Sequence, residues 1–247
     1  MKVAIVLALA ILAVFACDVN ADSCGGKDFG TAGDFDFYVF AQSWSAQFCT
    51  TKPNIPGCTN PTNWQQTNLT LHGMWPNYNS QRSGHGWPQC CQSKYGSDID
   101  PSVVADLLPA LQLYWPNEQD PSGSKLSSSL WAHEWNKHGT CSGLPQKAYL
   151  QEAMTIQLQI PTPSVITNNV GGSCKLKDLQ AAYGATDCLS GGDCIVAFNC
   201  ASDSGKLYLS SVTTCWDQFY KQIRCPASVL SSQGKQCTND DVYILSF

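Results

Sequence analysis

The amino-acid sequence predicts an α+β domain held by disulfides, and three observations carry that prediction. Strand-like segments sit toward both ends of the chain, helical periodicities occupy the middle, and fourteen cysteines are spread along 247 residues. Strands and helices grouped in separate runs point to α+β. Cysteines in this number point to an oxidising compartment, where they pair.

The elements follow in order. Lys2, the apolar run Val3 to Ala16 and the small-residue site Val19-Asn20-Ala21 form the three parts of a secretory signal peptide over residues 1–21. The apolar run is too short to span a bilayer, and no later segment is long and apolar enough to do so. A buried N-terminal helix is the competing reading. Residues 22–247 then make one domain. "FDFYVFAQSW" (Phe35 to Trp44) is aromatic and β-branched, a buried strand. Pro53, Pro56, Gly57 and Pro61 mark a loop. "NLTLH" (Asn68 to His72) reads as a second strand, ended by Gly73 and Pro76. Pro101 to Tyr114 has apolar residues at helical spacing behind a first-turn proline. Further helices are expected over Ala148 to Leu158 and Lys175 to Tyr183, and strands over Ile195 to Cys200, Lys206 to Thr213 and Val242 to Phe247.

Charge narrows the function classes. The net charge is −5 and there is no basic run or stripe. Such a chain does not coat nucleic acid, although local cations in a cleft can still act on single phosphodiesters. The spacing of the cysteines contains no pair of CxxC knuckles, so a zinc ribbon is excluded. Removing Cys17 with the leader leaves an odd number of cysteines. Asn68-Leu69-Thr70 is a glycosylation sequon, and Asn60-Pro61-Thr62 is disqualified by its proline.

"SLWAHEWNKHGTC" (Ser129 to Cys141) holds two of the four histidines, a glutamate, a lysine and two tryptophans, in a chain that is only 13% charged. Ser127, Ser128 or Ser129 caps a helix there and Gly139 ends it. On a wheel with His133 at zero, Lys137 falls at about 40°, Leu130 at about 60°, Glu134 at about 100° and His138 at about 140°. The polar groups share one arc, opposite Trp131, Ala132 and Trp135. A zincin spaces its histidines at i and i+4; these are five apart with a lysine between them. A solvated polar face is the bland alternative. The acid–base reading needs a partner, and "LTLHGMWPNY" (Leu69 to Tyr78) supplies it: His72 at a strand end, with Trp75 as a stacking surface. His85, in "SGHGWP", is read as a loop residue.

"LHGMWPNY" and "LWAHEWNKHGTC" resemble the two active-site signatures of the ribonuclease T2 family, the secreted acid ribonucleases that include plant self-incompatibility ribonucleases. The resemblance extends to "FDFYVFAQSW", to "YWPN" (Tyr114 to Asn117) and to the cysteine-bearing C-terminal strands. It implies a central antiparallel sheet flanked by helices and an endoribonuclease acting on single-stranded RNA by 2′-hydroxyl transphosphorylation; low base specificity is expected from two departures from the family, Asn77 where some members carry aspartate and Leu130. It implies His138 as general base, His72 as general acid, Lys137 and Glu134 as transition-state stabilisers and His133 as a phosphate binder. Trp75 and Asn77 are expected at one base, and Asn117 and Leu130 at the leaving-side base, where the family commonly has phenylalanine in place of Leu130. It implies disulfides Cys49–Cys58, Cys91–Cys141, Cys200–Cys237 and Cys215–Cys225. Cys24–Cys90, and a pair among Cys174, Cys188 and Cys194, exceed that pattern. No cofactor, metal, membrane or obligate protein partner is expected of this monomer, which would be secreted or delivered to a lysosome or vacuole. The alternative is a catalytically idle binding or storage protein on the same scaffold.

Overall fold

The computed structural model describes residues 24, 29–82, 84–126, 129–184, 195–233, 237–238 and 240–247. The expected leader, Ser127, Ser128, Cys188 and Cys194 lie outside the described residues. Among the described residues there are seven strands: β1 (Phe37–Ser43), β2 (Thr70–Asn77), β3 (Ser173–Lys175), β4 (Val196–Asp203), β5 (Lys206–Trp216), β6 (Gln222–Ile223) and β7 (Asp241–Tyr243). Helices α1 (Ser45–Cys49), α2 (Pro56–Thr59) and α3 (Asn63–Thr67) separate β1 from β2. Between β2 and β3 lie α4 (Pro101–Val104), α5 (Leu108–Tyr114), α6 (Leu130–Lys137), α7 (Gln146–Gln159) and α8 (Ser164–Thr167). The last two are α9 (Leu176–Ala182), after β3, and α10 (Ala227–Gln233), before β7.

β1 and β5 form the centre of one sheet. β1 pairs antiparallel with β2 and with β5, and β5 pairs antiparallel with β4 and β6. The β4–β5 hairpin turns through Ser204 and Gly205, both with positive φ, as a tight hairpin turn requires. β7 touches β5 in parallel at Tyr208–Tyr243 and carries β3 antiparallel on its other side. The fold is therefore the expected α+β arrangement, with its named strands antiparallel except at that joint. β1 is buried on both faces. Tyr38 and Phe40 enter an aromatic-rich core with α5, α6 and α7, while Phe37 and Val39 pack with Cys215, Cys225 and Val229. A third cluster, mostly aliphatic, lies under β4, β5, β7 and α9.

Several boundaries differ from the sequence reading. β2 does not stop at Gly73 or Pro76 but runs through both to Asn77. Pro76 is tolerated because β2 is the outermost strand of the sheet, where a missing N–H costs no ladder bond. The single helix expected over 101–114 is two, because Pro109 stands at the start of α5 and cannot continue a helix from α4. Lys175 closes β3 instead of opening a helix. Helix α3 falls in a segment with no expected element, although Thr62 and Gln65 form a reciprocal capping box that the sequence displays. The strand expected over 242–247 is confined to Asp241–Tyr243.

The structure bridges Cys24–Cys90, Cys49–Cys58, Cys91–Cys141, Cys200–Cys237 and Cys215–Cys225. Cys174 is a buried free thiol and so does not join the pair expected among Cys174, Cys188 and Cys194.

Candidate active site

Helix α6, with its C-cap, and strand β2 build the site. α6 begins where Ser129 Oγ accepts from the Ala132 N–H at 3.1 Å, and it buries Trp131, Ala132 and Trp135 as the wheel expects. Glu134 is buried as well, at 1% exposure. His138 is the C-cap, and a short 3-10 turn over Gly139–Ser142 follows. The left-handed residue that reverses the chain is Gly143, not Gly139. A Cβ on Gly139 would instead strike Trp135 and Tyr149, so that glycine serves packing. Cys91–Cys141 and the Cys90 N–H, donated to the Lys137 carbonyl at 2.8 Å, fasten the end of α6 to the chain that follows β2.

β2 supplies His72 and Trp75. Ala41 pairs with Gly73 and Gln42 with Leu71, so His72 has no partner in the ladder and is the extra residue of a bulge. In an unbroken strand, residues three apart point to opposite faces. The bulge removes that opposition: the His72 and Trp75 rings lie 5.4 Å apart, edge to face. His72 is therefore inside a strand, not at the end of one. Its Nδ1 stands 3.4 Å from Ser43 Oγ and its Nε2 3.9 Å from Glu134 Oε1.

Gly73 permits the central contact. Trp75 Nε1 donates to Glu134 Oε2 at 2.6 Å, and a Cβ on Gly73 would collide with both of these atoms. β2 is fixed from behind by Trp115 Nε1, which donates to the His72 carbonyl at 2.8 Å, and by the Tyr149 hydroxyl, which donates to the Met74 carbonyl at 2.7 Å. The His138 ring lies 5.4 Å from Trp75 and 6.4 Å from His133. His72, Trp75, Glu134 and His138 are thus brought together, with His133 alongside.

Burial sets the proton affinities. Desolvation, then the charges of His133 and Lys137, lower His72 to about 4. Desolvation and Lys137 lower His133 to about 4. His138 is held well below the ordinary imidazole value by burial and then by Lys137, His133 and His72. Its Nδ1 and that of His133 are buried without a hydrogen-bond partner. Glu134 moves the other way: burial raises it to about 8, against the Trp75 hydrogen bond and Lys137. The Lys137 ammonium thus acts on all four groups.

The remaining expected residues divide. Asn77 follows Trp75 by two positions on the same side of β2. Asn117 is buried, and its Oδ1 accepts from the Gln119 N–H at 3.3 Å. Asn117 and Leu130 line one pocket with His72. Ser43, Phe48 and Glu118 line it too, and the sequence offered no sign of them: a lone phenylalanine and a glutamate in a polar loop carry no periodic signal. Asn68 caps the C-terminus of α3, away from these groups, with its amide turned to Thr67 Oγ1 at 2.9 Å. His85 stacks on Phe29 at 3.7 Å between centroids.

Residues 35–225 match the model of the Ribonuclease T2 family. The chain is 40% identical over 124 residues to intracellular ribonuclease LX of Solanum lycopersicum, covering 50% of this chain and 48% of that protein. It is 37% identical over 138 residues to extracellular ribonuclease LE of the same plant, covering 55% and 56%. The match thus spans about half the length of these relatives. The crystal structure of RNase NT in complex with 5′-AMP superposes with a TM-score of 0.64 at 28% identity, over 87% of this chain and 100% of that one. With the match covering most of the sequence and the fold shared, the chain belongs to the ribonuclease T2 family.

Proposed function

We propose that the protein is an exported endoribonuclease that cleaves single-stranded RNA through the neighbouring 2′-hydroxyl, with two histidines and no metal. The observation that carries this reading is the convergence of His72 and His138 on Trp75, each ring 5.4 Å away, with Glu134 hydrogen-bonded to the same indole. Family membership supports it. So do the two relatives whose names are ribonucleases, one extracellular and one intracellular. Five disulfides among the described residues suit an oxidising compartment.

The chemistry needs a base, an acid and a stabiliser of negative charge. Burial and the charges of Lys137, His133 and His72 disfavour the imidazolium, so His138 starts neutral and takes the 2′-hydroxyl proton. The 2′-oxygen bonds to phosphorus. The bond from phosphorus to the 5′-oxygen breaks as His72 gives that oxygen a proton. His72 at about 4 and Glu134 at about 8 hold one proton between them over the intervening range. Its imidazolium–carboxylate form is the donor. Lys137 faces the charge that builds on the five-coordinate phosphorus, the Glu134 carboxylate holds the His72 imidazolium, and His133 holds the phosphate. The products are a 2′,3′-cyclic phosphate and a 5′-hydroxyl. In a slower step water opens the ring with the two histidines exchanging roles, leaving a 3′-phosphate. Trp75 stacks one base, and the Asn77 amide both donates and accepts, which favours loose specificity.

Digestion of total RNA, followed by identification of the ends, tests this. Cyclic and then 3′-phosphate termini, formed in excess chelator and with DNA untouched, are expected. Ends bearing 5′-phosphate, or cleavage lost to chelator and restored by zinc, would overturn the mechanism.

A further inference from the structure

We propose that Glu118 reads the base of the leaving nucleoside and favours bases that present N–H donors, guanine first and uracil last. This rests on the ribonuclease reading of His72. The pocket beside His72 is lined by Ser43, Phe48, Asn117, Glu118 and Leu130, and by neither Trp75 nor His138. If His72 protonates the departing 5′-oxygen, the nucleoside carried by that oxygen enters this pocket. Phe48 and Leu130 give it apolar walls, and Asn117 and Glu118 give it polar ones.

Glu118 is held in place. The Gly57 N–H donates to its backbone carbonyl at 2.8 Å, and a Cβ on Gly57 would come within 2.6 Å of the Glu118 Cα. Ser45 Oγ donates to Glu118 Oε1 at 3.0 Å and lies 3.2 Å from Thr70 Oγ1, which donates to the Ser43 carbonyl at 3.3 Å. Ser45, Gln65 and its own backbone N–H hold the carboxyl in place. No ion pair is formed by Glu118 among the described residues, and burial raises its carboxyl above the ordinary range. A desolvated acceptor with no cation to neutralise it gains most from a ligand that donates. Guanine sets an imino and an amino N–H side by side, which match two carboxylate oxygens. Adenine and cytosine offer one amino group. Uracil offers an imino N–H between two carbonyl oxygens, which repel a carboxylate. Leu130 supplies no π-face, so the polar edge carries the discrimination.

The test uses the full chain, as wild type, Glu118→Gln and Glu118→Ala. It measures kcat/KM on four dinucleoside phosphates that share a 5′ uridine and differ in the leaving base. It also measures Kd for 5′-GMP and 5′-UMP, which place a base on the leaving side of the phosphate, and hydrolysis of uridine 2′,3′-cyclic phosphate, which has no leaving nucleoside. The wild type should prefer leaving guanosine over uridine about tenfold, within the range of one well-made base contact. Both variants should shrink that ratio several-fold while leaving cyclic phosphate hydrolysis within about twofold. An unchanged ratio, or an equal fall in both reactions, would overturn the assignment and leave Glu118 a structural tie. A wild type that cleaves nothing but binds 5′-GMP more tightly than 5′-UMP through Glu118 would sink the ribonuclease reading and keep the pocket. Cleavage without Glu118-dependent discrimination would do the reverse.

Discussion

The core beneath β2 and α6 and the core beneath β4 and β7 exclude water equally well, yet they are made of different side chains. The first holds Trp115, Trp131, Trp135, Trp216 and Tyr149. The second is mostly aliphatic, with Val196, Leu207, Leu209, Val212, Val242 and Ile244, and it has a single tryptophan, Trp44. Aromatic side chains with a polar edge do two things at once. Trp131 Nε1 donates to the Trp115 carbonyl at 2.7 Å, Trp115 Nε1 donates to the His72 carbonyl, and the Tyr149 hydroxyl to the Met74 carbonyl. These bonds tie α6 and α7 to β2 at the bulge. In the second core, Trp44 makes the equivalent bond to the Leu245 carbonyl, outside β2. The difference teaches where damage should go: into chemistry from the first core, into stability alone from the second.

The largest effect sharpens the contrast at the site itself. His72→Ala and His138→Ala should each lower kcat/KM by ~10²–10⁴ on a dinucleoside phosphate, with thermal unfolding much less affected. A loss below tenfold would move the acid or base elsewhere. On the other side, Leu209→Ala should cost ~2–5 kcal/mol in denaturant unfolding and leave kcat/KM of the folded enzyme unchanged; a parallel loss of turnover would erase the distinction between the cores.

Gly73→Ala comes next. It introduces one methyl between Trp75 and Glu134, and a displacement of that kind should cost about 10²-fold in kcat/KM. Full activity would show that the indole–carboxyl contact is dispensable. A matched pair then breaks or keeps the comparison most directly. Trp115→Phe and Trp44→Phe each leave one partly buried carbonyl without that donor, for about 1 kcal/mol of stability. Only Trp115→Phe should also lower kcat, because only its carbonyl belongs to His72.

The smallest effect concerns pH. Activity should rise as His138 loses its proton, well below 6.5, and fall as the last proton leaves the His72 and Glu134 pair, toward about 8. Glu134→Gln leaves His72 alone, lowered to about 4 by burial and by His133 and Lys137. The alkaline limb of kcat/KM should therefore move acidward in that variant. A limb that stays put would remove Glu134 from the proton-sharing pair.

Much of the site is legible in the chain itself. The buried aromatic strand Phe37 to Ser43, the capped start at Ser129 and the burial of Trp131 and Trp135 opposite the polar arc follow from residue type and spacing, which are local properties. The naming of His72, Glu134, Lys137 and His138 as the polar groups to watch rests on their two segments and the family signatures these resemble. What local pattern predicts wrongly has a common cause. Pro109 splits a periodic helix, and Gly73 and Pro76 look like strand breakers but sit within β2. Whether a glycine or proline breaks an element depends on what lies across from it.

The sequence by itself determined which residues are candidates for the chemistry, and in which order along the chain they come, because residue type and spacing are written in the chain. Only the tertiary structure decided how they meet. The bulge at His72 is a register choice made against β1, Gly73 is needed because Glu134 arrives 61 positions later, and Glu118 becomes a wall of a pocket because α1, α2 and β2 close around its loop. Each of these depends on a partner distant in sequence, and no local periodicity contains that partner's position.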